Sequence, residues 1–96
     1  MTQNDLIVIR HAGALEWLRE QGIDAPVVEH VRKPGVVRGK DVYGILPIHL
    51  ASVCRSYNCI DIPDLPLTMR GMELSKEQMY QYGARLRKFV IREVRE

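Results

Sequence analysis

The sequence predicts one small α/β domain, Rossmann-like, with a mostly parallel sheet of about four strands and three helices. Three observations predict it. Short β-branched apolar runs suit strands buried on both faces, segments of helical apolar spacing lie between them, and glycine and proline mark the joints. A chain of 96 residues has room for one core, and 46% hydrophobic residues take it out of the disordered class. A single domain spanning 1–96 is therefore expected, and pairing into a homodimer would add to the modest burial that so short a chain achieves.

Leu6-Ile7-Val8-Ile9 predicts the first strand. Ala14, Leu15, Trp17 and Leu18 share one face of the helix after it, and Gly22 stands where a left-handed C-terminal cap belongs. Val27, Val28 and Val31 predict the second strand, and Pro34, Gly35 and Gly39 then break the pattern over a basic loop. Val42 to Leu46 is the expected third strand. Pro47 suits the first position of a second helix, where its missing N–H costs nothing, and Leu50, Ala51, Cys54 and Tyr57 give that helix a buried stripe with Asn58 as its cap. Cys59 to Ile62 predicts the fourth strand. Ser75 with Gln78 three residues on forms a capping box, and Met79, Tyr82, Leu86, Phe89, Val90 and Val94 keep helical spacing almost to the terminus. Gly83 inside such a helix would cost about 1 kcal/mol relative to alanine. Helices after three of four strands imply parallel pairing.

Composition excludes several classes. The start, Met1 to Arg10, lacks the basic segment and the length of a secretory signal, and no apolar run approaches the roughly 18 residues of a membrane span, so a cytoplasmic protein without a membrane partner is expected. Cys54 and Cys59 are too few and too close for a disulfide framework or a zinc site, and predict reduced, half-buried thiols. A net charge of +2 does not predict a duplex nucleic acid as partner. The cations are nevertheless clustered. Arg32, Lys33, Arg38 and Lys40 fall in one acid-free stretch, and Arg85, Arg87, Lys88, Arg92 and Arg95 crowd the C-terminal segment. Such clusters suit solvated surface and a phosphate-facing surface equally well.

In open parallel sheets ligands bind beyond the carboxyl ends of the strands, where strand order reverses. Arg10-His11-Ala12-Gly13 leaves the first strand there, and Leu46-Pro47-Ile48-His49 leaves the third. If those strands are neighbours, His11 and His49 are expected to face one crevice, with helix N-termini offering free N–H groups to an anion. His30 falls inside the second strand and is expected to be structural. No pair of histidines has metal-ligand spacing, so no metal or other cofactor is expected. Ile9-Arg10-His11 is also similar to the Arg-His-Gly signature of histidine phosphatases, but Ala12 follows and the chain is much shorter than those enzymes.

Taken together, Arg10-His11-Ala12-Gly13-Ala14, Glu16-Trp17, Gln21-Gly22-Ile23, Gly44 to Ala51, Arg70-Gly71, Glu73-Leu74 and Gly83 to Leu86 resemble the Csx-sixteen family of type III CRISPR accessory proteins. The likeness covers nearly the whole chain in order. Ala12 departs from the family's R-H-P-G-A pattern, which loosens that turn without removing a reactive group. The resemblance implies a ring nuclease that binds cyclic tetra-adenylate and cuts it without a metal, the ribose 2′-hydroxyl being the nucleophile. It implies Arg10 as phosphate ligand, His11 and His49 as proton-transfer groups, and Gly13, Ala14, Leu46, Pro47, Arg70 and Arg85 around the ligand. A two-fold homodimer would hold one ring across its axis. A non-catalytic sensor or sequestering module for the same ring needs the same cations but no proton transfer.

Overall fold

The computed structural model describes residues 4–95; the first three residues of the segment read above for a secretory signal lie outside them. The elements are β1 (Asp5–Val8), α1 (Ala12–Glu20), β2 (Val27–Val28), a 3-10 turn (Pro34–Val36), β3 (Asp41–Gly44), α2 (Ile48–Ala51), β4 (Ser56–Asp61), a second 3-10 turn (Leu67–Met69), α3 (Lys76–Gln81) and β5 (Arg85–Phe89). The sheet order is β2-β1-β3-β4-β5, parallel except for β5, which runs antiparallel to β4. The expected α/β class with three helices and a mostly parallel sheet is what forms, with one strand more than expected.

β1 lies inside the sheet and is apolar at successive positions because both its faces are covered. Leu6 and Val8 join a cluster with Val37, Val42, Leu50 and Ala51 on the α2 side. Ile7 and Ile9 join Trp17, Leu18 and Met79 under α1 and α3. Ile7 and Val42 are wholly buried, each burial worth about 1.5–3 kcal/mol. From β1 the chain turns first to β2 on one side and then returns to β3 on the other, so strand order reverses at the β1–β3 junction.

Gly22 closes α1 as expected. Its φ is 87°, its N–H donates to the Arg19 carbonyl at 3.0 Å, and the Ile23 N–H donates to the Leu18 carbonyl at 3.1 Å, the paired bonds of a Schellman cap. The capping box of α3 is also present, with Gln78 N–H donating to Ser75 Oγ at 3.1 Å and Ser75 N–H to Gln78 Oε1 at 2.9 Å.

Two expected helices are shorter. α2 ends at Ala51, and Tyr57 and Asn58 belong to β4, not to a helical stripe and its cap. A buried polar clamp draws that segment into the sheet. Asp41, only 6% exposed, accepts from Ser56 Oγ at 2.7 Å and from Arg55 Nε at 3.2 Å, while Asn58 Nδ2 donates to the Val42 carbonyl at 3.1 Å. α3 ends at Gln81, and of the segment expected to prolong it Arg85–Phe89 forms β5 while Val90 and Val94 lie beyond that strand, outside any helix. There Gly83 takes φ 74° as a second Schellman cap, Gly83 N–H donating to the Tyr80 carbonyl at 3.2 Å and Ala84 N–H to the Met79 carbonyl at 2.9 Å. Among the expected thiols, Cys54 is buried, Cys59 is partly buried, and both are free.

The two accounts of Gly83 predict opposite signs. Within a helix, Gly83→Ala would stabilise by about 1 kcal/mol. As a left-handed cap, whose added Cβ would also lie 3.1 Å from Asp64 Oδ2, the same change is expected to destabilise by about 1–2 kcal/mol. Urea denaturation read by circular dichroism gives the sign directly.

Candidate functional site

The cleft at the β1–β3 junction is built by strand ends. Val8, Ile9 and Leu46 are buried at its base, and Arg10, His11, Glu29, His30 and Pro47 stand exposed around it, enclosing about 420 Å³. Ile9 N–H donates to the Val28 carbonyl at 3.1 Å and Ile45 N–H to the Val8 carbonyl at 3.0 Å, so pairing to β1 continues past the regular ends of β2 and β3. That pairing aims Arg10 and His11 outward together.

His11 is the N-cap residue of α1, with extended backbone and a side chain that makes no cap bond. Its imidazole is therefore free of the helix, and the first N–H groups of α1, which no helix can pair internally, open toward the same edge. His11 Nδ1 lies 3.5 Å from Glu73 Oε1, an ion-pair distance rather than that of a short hydrogen bond. Gly13 brings Glu73 within reach. A Cβ on Gly13 would collide with the Leu74 carbonyl and Ser75 backbone, so only glycine lets the loop before α3 close over the first turn of α1. Ala12 is the first helical residue, a position that also accepts proline.

On the other side, Tyr57 fixes the end of β3. Its hydroxyl donates to the Gly44 carbonyl and accepts from the Leu46 N–H, each at 3.1 Å, spanning the backbone that carries Ile45 and Leu46 into the cleft. Burial above all pushes the Tyr57 hydroxyl above the ordinary phenol value, although the Leu46 N–H works in the opposite sense.

Of the residues singled out in the sequence, Arg10, His11, Leu46 and Pro47 line this cleft, and Ala14 lines an adjoining recess. β1 and β3 are neighbours as the crevice expectation required, yet His49 does not line the cleft. Leu50 and Ala51 hold α2 against the sheet, and His49, beside them, lines a separate hollow with Ile91 and Arg92 of the C-terminal segment. Arg85 Nε pairs with Asp61 Oδ2 at 2.9 Å across β4 and β5, away from the cleft, and Arg70 is exposed outside both the cleft and the recess. His30 corrects the reading in the other direction. β2 ends at Val28, so His30 leaves the strand and lines the cleft. A short strand two residues earlier was the signal that could have found it. Val31 lines the cleft as well, so the basic Arg32-Lys33 segment begins at its rim.

The model of a protein family described as "Putative CRISPR-associated protein (Cas_VVA1548)" matches residues 6–92. The chain belongs to this CRISPR-associated family. The match runs from β1 through β5 and so includes every residue of the cleft. No curated protein and no solved structure matches the chain. Among the described residues no three histidine, cysteine or acidic side chains gather as a metal site, and no helix is long and apolar enough to cross a membrane.

Tyr57→Phe tests whether the β3 end is held as described. It strands a carbonyl and an N–H beside the buried Leu46, and is expected to cost about 1–3 kcal/mol and to speed hydrogen exchange at the Leu46 amide. The raised pKa gives a pH signature with a definite sign. The contribution of the hydroxyl is complete below the ordinary value of about 10 and is lost as pH rises through the higher folded value. The stability gap between wild type and variant should therefore narrow above about pH 10, measured by urea titration at a series of alkaline pH values.

Proposed function

We propose that the protein is a ring nuclease of type III CRISPR defence that binds cyclic tetra-adenylate and cleaves it without a metal. The observation that carries this reading is the cleft at the β1–β3 junction, where a permanent cation, Arg10, stands with two imidazoles, His11 and His30, at the place where parallel sheets bind ligands. Membership of a CRISPR-associated family supports the substrate class.

The chemistry needs little beyond these groups. Each phosphate of the ring adjoins a ribose 2′-hydroxyl, so the nucleophile is already within the substrate. The 2′-oxygen attacks the neighbouring phosphorus, the P–O5′ bond breaks, and the products carry a 2′,3′-cyclic phosphate and a 5′-hydroxyl. One imidazole takes the 2′ proton and the other delivers a proton to the departing 5′ oxygen. Arg10 and the N-terminus of α1 bind the phosphate and stabilise the charge that grows on its oxygens. Glu73 lies beside one nitrogen of His11, which leaves the other for proton transfer. His49 passes this role to His30. A two-fold homodimer, with one ring across its axis, gives opposite phosphates identical Arg10, His11 and His30 sets. The cytoplasm is where such a signal would be removed.

A sensor that holds the ring without cutting it is favoured by one observation, the wide exposure of the His11 side chain at 49%. Turnover with ring in excess separates the two.

The pure protein, incubated with cyclic tri-, tetra- and hexa-adenylate in the presence of chelator, is expected to convert the tetra-adenylate to linear products ending in a 2′,3′-cyclic phosphate. Activity lost to chelator and restored by a divalent ion would refute the mechanism. His11→Ala should lower turnover by about 10²-fold or more with affinity little changed, and Arg10→Ala should weaken both. His49→Ala should keep wild-type turnover. Wild-type rates in both His11→Ala and His30→Ala would remove catalysis from this cleft. Light scattering with a binding titration should give one ring per two chains.

A further inference from the structure

A second hollow adjoins the cleft. It encloses about 290 Å³ between the sheet edge, α1 and the loop from Ile62 to Leu74, and its walls include Ala14, Ile60, Leu65, Met69, Met72 and Met79. Three residues, Ile9, His11 and Ile45, line both hollows, so the two are one continuous surface with a ridge between them. On one side of the ridge the groups are charged or polar, Arg10, Glu29 and His30. On the other, His11 is the only titratable side chain.

From this division we infer that the apolar recess is a nucleobase subsite, which takes one aromatic heterocycle of the ligand while its phosphate lies over Arg10 and His11. The inference rests on the proposed function for the identity of the whole ligand, but its physical basis is the recess itself. At about 290 Å³ the recess has room for a bicyclic purine. Neutral, apolar walls reject a phosphate and accept a flat ring. Methionines suit that ring, because their flexible thioethers adapt to its faces and gain from sulfur–aromatic contact. Ile45 is 68% exposed on the ridge, an apolar side chain left in solvent where it would lie against both base and ribose.

The walls carry few hydrogen-bonding side chains, so the subsite reads ring size and stacking rather than the pattern of donors and acceptors on the base edge. Phosphate position and base position are then fixed by separate groups. Seating the base restrains the ribose next to the scissile phosphate, which aids in-line alignment of the 2′-hydroxyl.

The test follows the methyl groups of Met69, Met72 and Met79 by NMR in the full chain. Adenosine at millimolar concentration, which has no phosphate, should move the Met69 and Met72 resonances, and ribose should not. The same shifts are expected with cyclic tetra-adenylate, at far lower concentration. Met72→Glu puts a charge at an exposed wall position, so thermal unfolding should be unchanged while affinity for the ring falls about tenfold or more. Methyl resonances unmoved by both adenosine and the ring, or moved equally by ribose, would overturn the subsite. If adenosine moves them and the ring does not bind, the proposed function fails and the subsite stands. If the ring is bound and cut with these methyls unmoved and Met72→Glu like wild type, the subsite fails and the proposed function stands.

Discussion

Everything at the carboxyl edge of the sheet depends on how closely β3 approaches β1 at Gly44. A side chain there would overlap the Val8 carbonyl, and the backbone has a φ of 127°, which side chains rarely tolerate. With glycine in place, the Ile45 N–H reaches the Val8 carbonyl and the chain crosses directly over the strand ends. Leu46 and Pro47 then become the wall facing Arg10 and His11, and Ile45 becomes the ridge. The Tyr57 hydroxyl, bonded on both sides of Ile45, prevents this crossing from relaxing. The cleft is thus held by backbone contacts and one phenol. Few of its own polar side chains support it.

Much of the fold was legible where one pattern had one meaning. The run Leu6 to Ile9 is apolar at successive positions because it is covered on two faces, and Gly22 and the Ser75/Gln78 pair act through bonds local to the sequence. The last segment was not legible, because its helical spacing is overridden by contacts that are not local. Met79, Tyr82, Leu86 and Phe89 fit a helix and Arg85 to Phe89 shows no strand alternation, yet a left-handed cap at Gly83 ends α3 and the residues after it pair with β4. That cap is stabilised by the packing of Met79 and the pairing of β4 with β5, neither of which is local. Ser56 and Asn58 show the same limit. Asn58 suits a helix cap in the sequence, but both side chains are buried because Asp41 and the Val42 carbonyl lie on the adjoining strand.

The site was legible in its place and only partly in its members. Topology alone put Arg10, His11, Leu46 and Pro47 at the strand ends, since that follows from strand order. Which histidine joins them depends on where β2 stops and how α2 turns, differences of one or two residues that sequence spacing does not resolve. His30 gained the cleft by two residues of strand length. His49 left it because the neighbouring Leu50 and Ala51 set which side of a one-turn helix meets the sheet.

An open cleft of this kind constrains how the proposed cleavage could work. With His11 half exposed, water would compete for a bound phosphate and screen Arg10, so electrostatic stabilisation would be worth less than in a sealed site. More of the rate of the proposed cleavage would then come from holding the 2′-hydroxyl, phosphorus and leaving oxygen in line. Orientation requires two fixed points on the ligand, and the ridge of Ile9, His11 and Ile45 separates two surfaces that can supply them, one charged and one apolar. A bound ring would also exclude water by its own bulk, strengthening the Arg10 contact only once substrate is seated. Small size is compatible with the proposed chemistry, in which the substrate would bring the nucleophile and much of the lid and leave the protein to provide alignment.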